Sequence, residues 1–387
     1  MDQPTVSLEI GLPVLIAQTA PDVRGWGYYQ FPEIEKTAAG SLHVRYHVRP
    51  DSAHAYGLAK GHAFSADNGL TWTAGGQEPS DAGLLLPNGD RLRIKHLPAI
   101  NASQIDLPGA PIDQIQSYSA LVRIYDATGF PPETKGWPLE RLAAGSADWV
   151  LDIKPIEYPG EIRHIVEGVL PMHMFWRLRL APDHTIWGIA YTFVNSGRNP
   201  IRCQPLFFTS RDNGRTFQFL STITYQPLPE IDRQYSLRGG FGEPDVAFLP
   251  DGSIFCLLRT TDGHGIGPLY GCRSRDGGKT WSRPAFFDGL GVWPTLLTLK
   301  NGVTLVSYGR PGLYLRATGS PAADRWDERV TIVTPLDYQT DTCSYSDMVA
   351  IADDSVFLVY SDFNYPNPAG VPVKSILGRK ITARVAS

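Results

Sequence analysis

An eight-residue pattern, S-x-D-x-G-x-T-[WF], occurs three times in the chain: SADNGLTW from Ser65 to Trp72, SRDNGRTF from Ser210 to Phe217, and SRDGGKTW from Ser274 to Trp281. Its chemistry is that of a tight turn between strands. Asp and Gly supply side-chain-to-backbone bonds and a positive φ, and the terminal aromatic anchors the outgoing strand in a core. Three copies in one chain predict a fold built from a repeated β-unit.

A second repeat lies upstream of these turns. Counting eight residues back from Gly40, Gly252 and Gly302 lands on Pro32, Pro244 and Pro294, and the same count from Asp354 and His184 lands on Ser346 and Trp176. The intervening runs, such as VAFLPDGSIFCLL and MVAIADDSVFLVY, read as two apolar strands joined by a tight turn. Glu243 to Trp293 is 50 residues and Trp293 to Tyr345 is 52, the spacing of four-stranded propeller blades. Blades are predicted over 27–80, 170–222, 238–288, 290–335 and 340–387. A less regular one falls in 81–169, with GLLLPNGDRLRIKHL as its hairpin. The N-terminal VSLEIGLPVLI is expected to pair with the last blade, because an unpaired edge would otherwise be exposed. The expected fold is all-β, a six-bladed propeller of four-stranded antiparallel blades forming one domain over residues 1–387.

Composition agrees with this. The 38 glycines and 32 prolines show no collagen period and point to many turns, while 42% hydrophobic residues against 19% charged exclude a disordered chain. A net charge of −4 is too mild to argue for nucleic acid or an anionic membrane as partner. Cys203, Cys256, Cys272 and Cys343 lack CxxC spacing and read as free thiols. No basic start with an apolar core and cleavage site appears, and no 18-residue apolar run follows. The chain reads as cytoplasmic, or as secreted or periplasmic if a signal peptide has been removed.

The three turns, in phase with the blade repeat, resemble the Asp boxes of the sialidase (neuraminidase) superfamily, a resemblance that covers most of the chain. It implies a propeller acting on glycans. Carried over residue by residue, it makes Tyr345, in the pair Tyr345-Ser346, the nucleophile and Glu243 its base, with Arg259 and Arg310 binding a substrate carboxylate. The family's first carboxylate-binding Arg is replaced by Gln30 in Tyr29-Gln30-Phe31-Pro32. Ahead of the first turn, the general-acid position falls on His54 in PDSAHAYG, with Asp51 as the alternative, and Arg49 beside them is assigned to substrate binding.

Propeller geometry makes a similar selection. Residues at the start of each innermost strand converge on one face: Phe31, Phe175, Glu243, Trp293 and Tyr345. The returning strands bring His47, Tyr191 and Arg259 to the same face, with Arg310 and Asp362 one place later. Tyr hydroxyl, at a reference pKa near 10, needs a neighbouring base to act as a nucleophile. Paired arginines hold a carboxylate, and His47, Trp293 and Tyr191 complete a binding wall for a pyranose. Structural roles remain open beside these: Glu243 as a turn cap, Tyr345 as a core phenol, and Arg259 and Arg310 paired with Asp262 or Asp245. His164 and His173, in EIRHIVEGVLPMHMFW, lie in a segment able to hang over the face. No zinc-ligand spacing, phosphate loop or G-x-S-x-G elbow is present, so no metal or cofactor is expected.

The expected function is an exo-acting glycoside hydrolase of sialidase type that releases a terminal acidic sugar from an ulosonic or uronic acid-containing glycan. A uronate lyase acting by β-elimination is the alternative, and a non-catalytic glycan-binding propeller is a further one. The partner is an acidic oligosaccharide, with no nucleic acid or membrane.

Overall fold

The alternating apolar runs form antiparallel hairpins whose register is set by their turn residues. In a computed structural model describing residues 5–79, 81–117, 120–198, 200–261, 265–337 and 340–386, the chain is all-β, with only short 3-10 turns besides its strands. Gly40, Gly252 and Gly302 adopt φ of +86°, +81° and +88° and donate their N–H groups to the residue three places back. His184 takes the same position at φ 65°.

The first sheet is Gln30–Lys36, Leu42–His47, Gly61–Ser65 and Thr73–Ala74, and the second is Leu84–Leu85, Arg91–Ile94, Trp137–Leu142 and Trp149–Lys154. The third group, Arg177–Leu180, Ile186–Val194, Arg202–Ser210 and Gln218–Thr222, touches the fourth through one parallel bridge, Cys203 to Gly240. The fourth comprises Gly240–Phe248, Ile254–Thr261, Leu269–Ser274 and Ala285–Asp288, and the fifth comprises Val292–Thr298, Thr304–Gly309, Leu313–Thr318 and Val330–Val333. The last sheet, Ser346–Ala352, Ser355–Pro366 and Pro372–Val385, is completed by the N-terminal strands Val6–Ile10 and Val14–Gln18, which both pair with its final strand.

Polar side chains stitch each sheet to the next. Glu35 accepts from Gly83 N–H, Arg141 donates to the Asn213 carbonyl, Arg179 pairs with Asp245, Asp245 accepts from Leu296 N–H, and Thr295 donates to the Ser346 carbonyl. Asp347 in the last sheet accepts from Ile34 N–H in the first. Apolar residues fill the spaces between sheets. Leu305, Leu313 and Leu315 of the fifth, for example, share a cluster with Val356, Leu358 and Leu377 of the last.

The three S-x-D-x-G-x-T-[WF] segments share one hydrogen-bond pattern. In each, the Ser hydroxyl bonds the Asp carboxylate and accepts the Gly N–H, while the Asp oxygens take the Thr N–H and hydroxyl at 2.6–3.0 Å. The glycines have a second constraint. A Cβ on Gly69 would lie 2.1 Å from Phe357, one on Gly214 2.8 Å from Leu92, and one on Gly278 2.1 Å from Trp187, so each turn is pressed against a neighbouring sheet. A degenerate fourth turn, absent from the sequence reading, runs from Ser320 to Trp326. Ser320 bonds Asp324, Ala323 takes φ 47°, and the Trp326 indole bonds the Ala323 carbonyl as Trp72 bonds Gly69. Gly278→Ala is expected to destabilise the fold by about 2–4 kcal/mol, combining left-handed strain with overpacking against Trp187. Denaturant unfolding measures this, and an unchanged midpoint would contradict the role of the turns as inter-sheet clamps.

The segment 81–169 differs from expectation. The predicted hairpin forms, but its sheet is interrupted by an insertion, which builds a separate sheet of Asp113–Ser117, Ala120–Asp126 and Ile162–Ile165 and a two-stranded piece, Ile100–Asn101 with Val169–Leu170. This insertion lies beside the cavity described next. All four cysteines are buried and free. Among the described residues no helix is long and apolar enough to cross a membrane.

Candidate active site

In three sheets the first strand carries a bulge, with register shifts between Gln30 and Glu33, Gly242 and Asp245, and Val292 and Thr295. Within each bulge the residue before a proline is left-handed: Phe31 at φ 54°, Glu243 at 45° and Trp293 at 47°. Such conformations cost a non-glycine residue about 1–3 kcal/mol, and bulges re-aim side chains. Here they turn Phe31, Glu243 and Trp293 into a cavity of about 580 Å³. In the last sheet Ser344, at φ 61°, precedes Tyr345, which lines the same cavity.

At its floor the Tyr345 hydroxyl donates to Glu243 Oε1. Arg259 Nη1 bonds the same carboxylate oxygen at 2.6 Å and lies 3.2 Å from the Tyr345 oxygen, while Trp293 N–H donates to Glu243 Oε2 at 3.0 Å. Glu243 and Arg259 are both buried, so one guanidinium faces both oxygens between which a proton would pass. Arg310, also buried, bonds the Cys343 carbonyl at 2.6 Å and sits over the rings of Trp26 and Tyr345. Aromatic rings make the wall: Trp293 stacks on Tyr345 at 4.6 Å, Phe31 meets Tyr345 edge-on at 4.7 Å, and Trp176 stacks on Tyr191 at 4.8 Å. Burial holds the Tyr191 phenol well above its ordinary value, so it stays protonated.

Asp51 and Arg49 lie at the solvent-facing mouth. Desolvation by the surrounding walls raises the Asp51 carboxyl above its ordinary value, the Trp26 indole N–H opposes this from 3.1 Å, and the negative charge of Glu167 adds to it. His47 lines the cavity against Phe31, and burial together with nearby Lys60 pulls it down to about 4. His96 is pulled down to about 3 by the same causes, leaving both imidazoles neutral near pH 7. Lys60 itself is paired with Glu33 at 2.8 Å. Among the described residues no group of three His, Cys, Asp or Glu is placed to hold a metal ion.

The structure brings together Tyr345, Glu243, Arg259, Arg310, Trp293, Tyr191, His47, Arg49 and Asp51. Several other positions depart from expectation. His54 does not line the cavity, because the 3-10 turn Ala53–Ala55 points it outward, where Nε2 lies 3.0 Å from the Glu167 carbonyl. Gln30 is wholly buried outside the lining and accepts the Gly27 N–H at 3.0 Å, so it braces a turn. Phe175 lies in the core against Trp137 and Phe217, and its neighbour Trp176 takes the cavity position instead. The third sheet lacks the left-handed bulge that aims Phe31 and Trp293, and a one-residue change of phase swaps faces.

Asp362, His164 and His173 also lie outside the lining. Asp245 pairs with Arg179 and Arg177 rather than with either candidate arginine, and Asp262 lies outside the described residues.

Sequence reasoning missed Trp26, Tyr56, Lys60, His96 and Glu167, which also line the cavity. Glu167 comes from the insertion and caps the 52–55 turn, accepting the Ser52 hydroxyl at 2.8 Å and Ala53 N–H at 2.9 Å. Being outside the repeat, it left no periodic signal.

No protein-family model matches the chain, and no curated protein matches it by sequence. Solved structures do. A protein of unknown function from Dyadobacter fermentans is 17% identical with a TM-score of 0.66, over 97% of this chain and 99% of that one. A Hadza microbial sialidase is 14% identical with a TM-score of 0.52, over 91% of this chain and 65% of that one. An α-L-arabinofuranosidase from Fusarium graminearum, solved with an iminosugar inhibitor, is 13% identical with a TM-score of 0.52, over 96% of this chain and 97% of that one. At these identities the likeness is one of fold: the chain has the sialidase-like all-β fold that these glycosidases share.

Proposed function

We propose that the chain is a single six-bladed propeller domain and an exo-acting glycoside hydrolase of sialidase type, releasing a terminal acidic sugar. The stitching of the last sheet to the first supports the closed ring. The observation that carries the function is the Tyr345 hydroxyl held between the Glu243 carboxylate and the Arg259 guanidinium on the cavity floor. In this reading Glu243 takes the phenolic proton as the Tyr345 oxygen attacks the anomeric carbon, and Asp51 gives its proton to the departing glycosidic oxygen. Water then attacks the glycosyl-tyrosine with Asp51 as base, and the phenolic oxygen regains its proton from Glu243. Two displacements retain the anomeric configuration.

Arg259 and Arg310 bind the substrate carboxylate. Because Gln30 is buried, the carboxylate meets two guanidiniums rather than three. An ulosonic acid other than ordinary sialic acid, or a uronic acid-containing glycan, fits such a site.

A β-eliminating uronate lyase is the second reading, favoured by neutral His47 beside the cavity aromatics, since a neutral imidazole is able to abstract a proton. A panel of acidic glycans, read by released sugar and by ultraviolet absorbance, tests both. Saturated monosaccharide without absorbance supports the hydrolase, an absorbing unsaturated uronate supports the lyase, and binding without turnover overturns both.

A further inference from the structure

Arg163 stands on the strand Ile162–Ile165 of the insertion and is 1% exposed. Burial pulls its pKa down to about 10, so it remains a cation at neutral pH. A guanidinium carries five N–H donors. Nη2 reaches the Pro171 carbonyl at 3.3 Å and Met172 Sδ at 3.9 Å, whereas Nε and Nη1 are buried without a hydrogen-bond partner. Two other buried arginines each face a carboxylate: Arg238 meets Asp232 at 2.8 Å, and Arg259 meets Glu243 at 2.6 Å. Among the described residues Arg163 has no such ion pair.

The negative charge that acts on it is that of Glu161, two residues before it, which stands beyond ion-pair distance and whose own carboxyl is raised by burial, so no carboxylate touches the guanidinium. His164 Nδ1 is buried and unpartnered as well. His173 Nε2 lies 2.9 Å from the Ile162 carbonyl and 3.3 Å from the Tyr158 hydroxyl. Burial keeps both imidazoles neutral and the Tyr158 phenol protonated. An arginine does not shed its charge as a histidine does, and a buried guanidinium with two unmet donor atoms and no carboxylate in contact is disfavoured.

We propose that Arg163 anchors a binding site for a small inorganic anion of halide size. The site lies at the base of the hairpin that carries Glu167 at its turn, where Val166 and Val169 exchange backbone hydrogen bonds at 3.0 Å. Anion binding therefore tethers the segment whose Glu167 lines the cavity. It is independent of the glycosidase reading, because its readout is stability and not turnover.

Thermal unfolding of the full chain, with sodium chloride or bromide replacing sodium gluconate at constant ionic strength, tests the site. A ligand that binds only the folded state raises the melting temperature with the logarithm of its concentration above Kd, on the order of 1–3 °C for each tenfold rise. Arg163→Met removes the charge while keeping an apolar side chain. It is expected to be flat across the series and no less stable than the native chain in gluconate. A melting temperature of the native chain indifferent to halide, or a variant with the same halide dependence, overturns the site. Should the variant fail to fold, crystals of the native chain grown in bromide decide: an anomalous peak against the guanidinium supports the site, and its absence refutes it.

Discussion

Tyr345→Phe is expected to lower turnover by at least about two orders of magnitude while leaving the fold intact, the scale on which nucleophile and general-base roles act. The phenyl ring keeps the stack on Trp293 and the edge contact with Phe31, and only the oxygen shared with Glu243 and Arg259 is lost. Glu243→Gln should produce a loss of the same order. The amide keeps the size of the carboxylate but offers one acceptor oxygen, so its NH2 faces a donor, either Arg259 or the Trp293 N–H, and it does not take a proton from the phenol. This variant also leaves Arg259 facing a neutral group, and a buried pair broken from one side typically costs about 3–5 kcal/mol. Unfolding midpoints must therefore accompany the rates. The double variant should be little worse than either single one, because the two residues act as a unit. Near-normal turnover in both single variants, measured on whichever acidic glycan the panel identifies, would remove the Tyr–Glu mechanism.

The second large effect concerns the proton donor. Asp51→Asn is expected to reduce hydrolysis of substrates with poor leaving groups by about 10²–10⁴-fold, and to reduce it far less for activated leaving groups that need little protonation. Asn keeps the size of Asp and still accepts the Trp26 indole N–H. A general acid works only while protonated, so the native rate falls as pH rises through the Asp51 pKa. Desolvation raises that pKa, which moves the alkaline limb upward from the ordinary carboxylate range, and the limb should vanish in the variant. Stability follows the same sign. A carboxyl whose folded pKa is raised contributes stability below its unfolded pKa and loses it as pH rises through the folded value, so Asp51→Asn should lose less stability than the native chain as pH rises from the ordinary carboxylate range through the Asp51 pKa. His54→Ala, by contrast, should keep the native pH profile, since this imidazole faces the Glu167 carbonyl outside the cavity. A profile that changes with His54 and not with Asp51 would reverse the assignment.

The halves of the problem differed in how far they could be read along the chain. Three eight-residue turns and an eight-residue spacing between proline and glycine were local features, because a hairpin needs its turn residues at fixed offsets whatever surrounds it. From them came the strand pairs, the phase of successive sheets and the convergence of Glu243, Trp293 and Tyr345, which lie 50 and 52 residues apart. The pairing of Val6–Ile10 and Val14–Gln18 with the final strand also followed, from the need to cover an edge.

What depended on non-repeated contacts was out of reach. His54 and Asp51 are three positions apart in a loop, and only the 3-10 turn capped by Glu167, more than a hundred residues away, decides which of them meets the cavity. Gln30 looked like an altered ligand until its burial against Gly27 was visible. Phe175 and Trp176 exchange roles through the absence of one left-handed residue. Periodicity and local turn chemistry are enough to place the repeated sheets and the side on which their candidate residues gather. Which side chains enter the cavity, what shifts their protonation and where Arg163 stands with no carboxylate in contact emerge only from the folded contacts, because burial and charge pairing arise between segments with no fixed spacing in the chain.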